Sequence, residues 1–242
     1  MDEWQAKQLK TISACLEPGM HVADIGASRG EILLEFCPTI EAGMIKKYYA
    51  FEPHPDLAYA LKKAKEKWAY TRGPSWENLE ILDVAVSNEN SVIKFYTVEG
   101  QPELGNMFGH DTSGEKFDKL WGYRGNKCHE HDVKSIMLDD FFKDRKIDFI
   151  KMDVEGAEFK AFEGARQILK ERDIIWQVEF HNDDDWDPSI LLECGYRFYD
   201  LDFNEVGPEH RRYQMILSKK DMSGAKRSLD KKTGLLELFN VR

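Results

Sequence analysis

The sequence predicts an α/β fold: a mostly parallel, seven-stranded sheet with helices on both faces and one antiparallel strand at its edge. Short apolar runs alternate with helical patterns, a glycine-rich turn follows the first strand, and acidic residues end several strands. Strands that alternate with helices imply right-handed crossovers, which produce a parallel sheet covered on both sides. Because 242 residues suit one such domain better than two with separate cores, we expect a single domain over residues 1–242.

The N-terminal half supplies the first strands and helices. Apolar side chains recur at helical spacing in residues 4–16, and Pro18 with Gly19 forms a turn signal that ends an N-terminal helical segment, residues 1–19. The elements that follow are, in order, a strand at 21–25, a turn at 26–30, a helix at 31–36, a strand at 48–51, a helix at 55–68, an apolar strand at 79–86 and an alternating strand at 91–98.

The C-terminal half continues the alternation and closes it with two strands. Its elements are, in order, a strand at 147–152, a helix at 159–169, a strand at 173–180, a helix at 189–193 and strands at 196–202 and 212–219. Residues 203–211 join the last two strands and are too few for a helix of ordinary length. This short link predicts a closing hairpin, which places the antiparallel strand at the sheet edge.

Two segments lack a clear periodic pattern. Residues 99–132 contain six glycines together with Phe108, Trp121 and Tyr123. Loops this long in a compact domain are usually functional or disordered, and the aromatic side chains favour a substrate-covering insertion. The tail, residues 221–242, is basic at first and then leucine-rich, which predicts a docked helix, either peripheral or at an oligomer contact.

Composition excludes several classes of function. The net charge of −10 argues against general affinity for nucleic acid or anionic membranes, because both require an excess of Lys and Arg. No apolar run approaches the roughly 18–20 residues of a membrane span, and residues 1–17 lack the pattern of a signal peptide. We therefore expect a cytoplasmic protein. The sequence does not predict its oligomeric state.

The four cysteines are far apart and form no CxxC pair, which favours reduced thiols over a disulfide framework. Cys128 lies beside His129, Glu130 and His131, all of them metal-ligand types. Since no second ligand pair at finger-like spacing accompanies this group, we favour a structural or solvated role over a zinc site.

The glycine turn and a strand-end acid indicate a nucleoside-containing cofactor. Ligands of doubly wound sheets bind at the carboxyl ends of the strands, and Gly26 and Gly30 permit close approach to the backbone there. Glu52 follows this turn by somewhat more than the roughly 20 residues at which an acid binds ribose hydroxyls in dinucleotide folds. Its carboxylate can accept two hydrogen bonds from a 2′,3′-diol.

Charge around the turn decides between two cofactors. The turn lacks the middle glycine of the dinucleotide fingerprint G-x-G-x-x-G. Asp24 and Glu31 flank it and would repel a diphosphate, whereas they would attract the ammonium and sulfonium groups of S-adenosylmethionine. The sequence therefore favours S-adenosylmethionine over NAD, and an NAD-dependent oxidoreductase is the alternative.

Five motifs resemble those of the FkbM family of class I methyltransferases over about residues 20–181. They are residues 22–30 (VADIGASRG), 49–53 (YAFEP), 83–87 (DVAVS), 148–158 (DFIKMDVEGAE) and 178–181 (VEFH). The resemblance implies a Rossmann-like class I methyltransferase fold and S-adenosylmethionine as cofactor. The binding residues that it implies are Asp24, Gly26, Ala27, Ser28 and Gly30 around the methionine portion, Glu52 with Pro53 at the ribose, and Asp83, Val84 and Ala85 at the adenine. The family usually has Asn in place of Ser28.

Methylation of an alcohol needs a general base, because a hydroxyl is barely ionised at neutral pH. His181 is the preferred base, with Glu179 or Asp153 orienting its other ring nitrogen. Alternatively, the carboxylates Asp153, Glu155 and Glu158 hold a divalent cation such as Mg²⁺. Asp153 and Glu179 are the two residues that we retain as possible metal ligands. Glu155 and Glu158 equally suit a helix N-terminus. We retain Asp153, Glu155 and Glu179 as catalytic candidates and Glu158 as structural.

The acceptor is predicted only as a class. The resemblance implies O-methylation of natural products or sugars, and we favour a sugar or glycan hydroxyl. Phe108, His110, Trp121 and Tyr123 would offer it stacking and hydrogen-bonding surfaces. A non-sugar natural product is the first alternative, and a cofactor-binding module without catalysis is another.

Overall fold

A computed structural model describes residues 3–99, 101–107, 128–181, 186–209 and 213–225. Its strands are β1 (Met20–Ile25), β2 (Ile45–Phe51), β3 (Leu79–Leu82), β4 (Ala85–Val86), β5 (Ser91–Val98), β6 (Gln101–Asn106), β7 (Cys128–Ile136), β8 (Phe149–Met152), β9 (Ile175–Glu179), β10 (Arg197–Tyr199), β11 (Glu205–Val206) and β12 (Gln214–Ser218). Its α-helices are α1 (Glu3–Cys15), α2 (Glu31–Glu35), α3 (Cys37–Glu41), α4 (Pro55–Arg72), α5 (Leu138–Phe142), α6 (Glu158–Glu163), α7 (Arg166–Glu171) and α8 (Ser189–Glu193), and a 3₁₀ helix spans Pro74–Asn78.

The central sheet has the strand order β11-β10-β12-β9-β8-β1-β2-β3. The strands β3, β2, β1, β8 and β9 are parallel, which confirms the predicted α/β class. The predicted count of seven strands is one too few, because the two-residue strand β11 extends the edge. Neither of its residues is buried, so it has none of the apolar pattern that marks the other strands.

The closing hairpin forms between β10 and β12, but its antiparallel strand is not at the edge as predicted. β12 lies between β9 and β10 and is antiparallel to both. All five residues of β12 are buried, which is the pattern of an interior strand covered on both faces. The antiparallel strand at the edge is the short β11, paired with β10.

The third apolar run divides between two sheets instead of forming one strand. β3 pairs with β2 in the central sheet, whereas β4 pairs with β7 in a second sheet of order β4-β7-β5-β6. The predicted insertion at residues 99–132 contributes β6 and the start of β7 to this second sheet. Residues 108–127 of the insertion and residues 226–242 of the tail lie outside the described part of the chain.

Two apolar clusters cover the two faces of the central sheet. One contains Phe142, Phe162 and Leu169 from the helices α5 to α7, and the other contains Ile12 and Leu33 from α1 and α2. The single helix predicted at residues 159–169 is two short helices, α6 and α7. At their junction, a Cβ on Gly164 would lie 2.0 Å from the Ser87 carbonyl oxygen, so the chain passes too close for a side chain.

Three of the four cysteines have described side chains, and all three are free thiols. Cys15 and Cys37 are buried and Cys194 is half-buried, as expected for reduced cysteines. In the part of the chain that the structure describes, no helix is both long and apolar enough to cross a bilayer.

Candidate active site

A cavity of about 660 Å³ opens at the carboxyl ends of β1, β2, β8 and β9. Its volume is typical of a small-molecule site, and the position is the one expected for ligands of doubly wound sheets. Among its lining residues are Gln5, Gln8, Leu9, Gly26, Ala27, Ser28, Arg29, Glu31, Glu52, Pro53, Val84, Ala85, Val86, Phe95, Gly105, Met107, Lys151, Asp153, Glu155 and Glu179.

The glycine turn is held tightly between two strands. The N–H groups of Gly26 and Ala27 both donate to the Phe51 carbonyl oxygen at 3.0 Å. Gly26 has φ +78°, and a Cβ there would lie 1.8 Å from the carbonyl oxygen of Asp153. Ser28 has φ +49°, an unusual value for a residue with a side chain that is tolerated only where the surroundings fix the backbone. The turn therefore presents a rigid backbone to the cavity.

Glu52 is fixed at the end of β2 with its carboxylate in the cavity wall. Its two oxygens accept hydrogen bonds of 2.7 Å from the N–H groups of Ser28 and His54. Burial raises the pKa of Glu52 to about 7, although these backbone donors and Lys151 act to lower it. Each oxygen keeps a further lone pair for a ligand hydroxyl.

Asp24 lies beneath the cavity and is not among its lining residues. Its carboxylate is 3.2 Å from Lys151 Nζ and accepts a hydrogen bond of 3.1 Å from the Tyr48 hydroxyl. The Asp24 side chain is only 1% exposed. The Asp24 carboxylate thus pairs with Lys151 and does not itself line the cavity, so its predicted contact with the cofactor stays a prediction.

Lys151 is the functional residue that the sequence analysis missed. Its ammonium donates to the Gly26 carbonyl oxygen at 2.9 Å and lies 3.6 Å from Asp153 Oδ2. It thus connects the glycine turn to two acids on neighbouring strands. The sequence signal for this role was a lysine within the apolar run at residues 147–152. Burial of an unpaired lysine costs much free energy, so such a lysine must have an acidic partner.

Asp83 and Gly30 are also not among the residues that line the cavity. The Asp83 side chain is 62% exposed and forms an ion pair of 2.8 Å with Lys62, which lowers the pKa of Asp83. Its predicted place at the adenine stays a prediction, whereas the adjacent Val84 and Ala85 do line the cavity. Gly30 acts structurally, as the left-handed residue that begins α2.

His181 is enclosed by carboxylates beside the cavity. Its Nδ1 lies 2.9 Å from Glu158 Oε1, whereas its Nε2 lies 3.4 Å from Glu179, 3.5 Å from Glu155 and 3.7 Å from Asp153. The partner at Nδ1 is therefore Glu158, whose Oε1 also accepts a hydrogen bond of 3.0 Å from the Gly156 N–H, and the predicted partners Glu179 and Asp153 lie at Nε2. The His181 side chain is 2% exposed.

This environment changes the proton affinity of His181. Burial acts to lower the pKa of His181, but hydrogen bonds to Glu158 and Glu179 and the charges of Glu155 and Asp153 outweigh it and raise the pKa to about 11. Since a protonated imidazole cannot accept a proton from an acceptor hydroxyl, this shift favours a neighbouring carboxylate as the base.

The carboxylates around His181 differ in their proton affinity. Burial raises the pKa of Asp153, and burial also raises the pKa of Glu155 to about 7. For Glu179 burial likewise favours the protonated form, but hydrogen bonds from His181, Tyr213 and Gln214 prevail and lower the pKa. One of these bonds runs from Gln214 Nε2 to Glu179 Oε2 at 2.6 Å.

The model of the methyltransferase FkbM domain matches residues 24–198, more than half of the chain. The chain belongs to the FkbM methyltransferase family. It resembles the crystal structure of Methyltransferase FkbM from Methylobacillus flagellatus KT, with a TM-score of 0.51 and 17% identity over 82% of this chain and 43% of that one. The chain thus spans less than half the length of that protein.

A second solved structure is a SAM dependent methyltransferase from Aquifex aeolicus, with a TM-score of 0.42 and 13% identity over 89% of this chain and 92% of that one. At such identities the likeness to the Methylobacillus protein is one of fold, which agrees with the strand order of the central sheet. No curated protein sequence matches the chain.

In this FkbM chain, the structure brings most of the predicted cofactor residues to one cavity. Those in its wall are Gly26, Ala27, Ser28, Glu52, Pro53, Val84 and Ala85. The predicted catalytic residues Asp153, Glu155 and Glu179 line it too, next to the buried His181. The predicted sugar-binding residues Phe108, His110, Trp121 and Tyr123 lie outside the described part of the chain.

Proposed function

We propose that this FkbM-family chain is an S-adenosylmethionine-dependent O-methyltransferase. The observation that carries the proposal is the cavity in which Glu52 is fixed opposite a rigid glycine turn. When bound, S-adenosylmethionine supplies an electrophilic methyl group. The chain's own residues must then hold the cofactor, exclude water and accept the proton that the hydroxyl loses.

The cavity residues suit the parts of S-adenosylmethionine in turn. Glu52 would accept hydrogen bonds from the ribose hydroxyls, and the apolar Val84 and Ala85 would contact the adenine. Arg29 and Glu31 both line the cavity and carry opposite charges, which matches the carboxylate and ammonium of the methionine portion. NAD fits less well, because Glu31 begins α2 where a diphosphate would rest.

We predict that Glu52→Gln weakens S-adenosylmethionine binding about 10- to 100-fold, because the loss of a hydrogen bond to a charged group lowers the affinity by about this factor. Isothermal titration calorimetry with S-adenosylmethionine and, separately, NAD measures this change. Glu171→Gln is the matched control, since Glu171 lies at the exposed end of α7. Tight NAD binding without S-adenosylmethionine binding would refute the proposed cofactor and favour the oxidoreductase alternative.

Glu155 is our proposed general base for the acceptor hydroxyl. Its carboxylate lines the cavity, and its Oε2 lies 3.5 Å from His181 Nε2. The backbone of Glu155 has φ +50°, which is a strained value for a residue other than glycine. The chain therefore departs from the extended strand conformation at Glu155. Asp153 lines the same cavity two residues earlier.

We predict that Glu155→Gln lowers the rate of methyl transfer about 100-fold while S-adenosylmethionine binding stays within twofold of the parent value. A general base usually contributes about 10²- to 10⁴-fold to the rate. We expect the lower end of this range because Asp153 remains nearby to accept a proton. Single-turnover transfer of a radiolabelled methyl group measures the rate. An unchanged rate would remove Glu155 from this role.

A sugar or glycan hydroxyl is the acceptor that we propose, and a hydroxyl of a non-sugar natural product is the runner-up. Polar side chains of Gln5, Gln8 and Glu179 line the cavity and suit an acceptor with several hydroxyls. Phe95, Gly105 and Met107 line it from the second sheet, which supports the substrate-covering role proposed for residues 99–132. A panel of glycans and small alcohols with radiolabelled donor tests both classes.

The setting of the reaction is likewise a proposal. The free thiols of Cys15 and Cys37 support action in the reducing cytoplasm, and the net charge of −10 supports a small-molecule or glycan partner over nucleic acid. We also propose that residues 1–242 form one domain. A divalent cation is the remaining component, and its site is argued next.

A further inference from the structure

Three ligand-type side chains converge at the inner end of the cavity. His181 Nε2 lies 3.4 Å from Glu179 Oε1 and 3.7 Å from Asp153 Oδ1. Their ligand atoms all lie within 4.8 Å of one another, which no other trio of His, Cys, Asp or Glu achieves among the described residues. These side chains come from the ends of β8 and β9, so the backbone of the parallel sheet sets their spacing.

The separations match those around a bound metal ion. Bonds of about 2.0–2.2 Å to nitrogen and oxygen place neighbouring ligands of a tetrahedral ion about 3.3–3.6 Å apart. The separations of 3.4 and 3.7 Å leave room for such an ion between Nε2 and the two oxygens. His181 Nε2 also lies 3.4 Å from the Tyr213 hydroxyl, and it must release its proton to bind an ion.

Neighbouring residues hold the ligands in orientation. Glu158 contacts Nδ1 of His181 at 2.9 Å, which directs Nε2 toward the two carboxylates. Gln214 donates to Oε2 of Glu179 at 2.6 Å, which leaves Oε1 directed toward His181. Metal-ligating histidines and carboxylates are usually fixed by such outer partners.

An unsatisfied atom supplies independent support. Asp153 Oδ1 is excluded from solvent and has no hydrogen-bond partner among the described residues. Buried polar atoms are nearly always paired, and an exception in a native structure often marks a water or ion. This oxygen is the one that points toward His181 Nε2.

We propose that Asp153, Glu179 and His181 bind one divalent transition-metal ion, with an open coordination position that faces the cavity. The imidazole ligand favours Mn²⁺, Fe²⁺ or Zn²⁺ over Mg²⁺, which prefers oxygen ligands alone. Asp153 and Glu179 line the cavity, so the ion would sit beside Glu155, where an acceptor hydroxyl must approach. Its part in methyl transfer rests on the proposed function, whereas its binding does not.

The test is a titration of the chelator-stripped full chain with Mn²⁺, without cofactor or acceptor. Free Mn²⁺ is measured by electron paramagnetic resonance, and Zn²⁺ and Mg²⁺ are tested as competitors. We expect one Mn²⁺ per chain, displaced by Zn²⁺ at far lower concentration than by Mg²⁺. We expect Asp153→Asn and Glu179→Gln to weaken binding at least 10-fold and Glu158→Gln to weaken it about 10- to 100-fold.

Asp132→Asn is the matched control, because Asp132 is an exposed carboxylate paired with Lys94 on the second sheet. Fe²⁺ with ascorbate and peroxide gives a second test on the parent chain, since it should cut the backbone near residues 153 and 181. No saturable Mn²⁺ binding, or cuts elsewhere, would overturn the metal site. Metal binding without S-adenosylmethionine binding would instead overturn the proposed function alone.

Discussion

Replacement of Lys151 by methionine is expected to destabilise the chain by about 3–5 kcal/mol, the usual cost of breaking a buried ion pair. Among the described residues, the loss leaves Asp24, whose side chain is 1% exposed, with only the Tyr48 hydroxyl as a neutral donor. It also removes the donor to the Gly26 carbonyl oxygen. We therefore expect S-adenosylmethionine affinity to fall along with stability.

Urea unfolding followed by circular dichroism measures the change for Lys151→Met. Lys170→Met is the control, since Lys170 is exposed at the end of α7, and it should shift the free energy of unfolding by less than about 0.5 kcal/mol. The double variant Lys151→Met with Asp24→Asn should recover much of the loss, because it removes both buried charges. Additive losses in the double variant would show that the two side chains do not act as a pair.

Local sequence patterns predicted the frame of this site, because short-range geometry determines that frame. The strand and turn around Gly26, the strand that ends at Glu52 and the helix α8 follow from periodicity and turn signals within a few residues. The carboxyl ends of parallel strands then bring these segments together. Glu52 could be placed near the glycine turn for this reason, together with its spacing from the turn and the family resemblance.

Contacts between segments far apart in the sequence could not be predicted. The ion pair of Asp24 with Lys151 joins two strands more than a hundred residues apart. The division of residues 79–86 between two sheets depends on pairing with β2 and β7. The interior place of β12 depends on pairing with β9, which its apolar pattern permits but does not specify.

The environment of His181 is the clearest limit of local inference. An isolated imidazole titrates near neutral pH, which suggested a general base. The structure surrounds it with Asp153, Glu155 and Glu158 from one segment and Glu179 from the end of β9. Their hydrogen bonds and combined charge raise the pKa of His181 against the effect of burial.

Gly26→Ala is expected to destabilise the chain by at least about 4 kcal/mol and to abolish measurable S-adenosylmethionine binding. Two effects add at this position. The φ of +78° costs a residue with a Cβ about 1–2 kcal/mol. The new methyl group would also lie 1.8 Å from the carbonyl oxygen of Asp153, so either the turn or the end of β8 must move. Thermal unfolding and calorimetry measure the two losses.

Gly19→Ala separates the backbone cost from the steric one. Gly19 has φ +87°, close to that of Gly26, but a Cβ there meets no atom within 4 Å. The strain of a left-handed residue is thus present in both variants, and the overlap is present only in Gly26→Ala. We expect Gly19→Ala to cost about 1–2 kcal/mol and to bind S-adenosylmethionine like the parent chain. Equal losses in the two variants would show that φ alone requires glycine at position 26, and that the close approach of β1 to β8 does not shape the cofactor cavity.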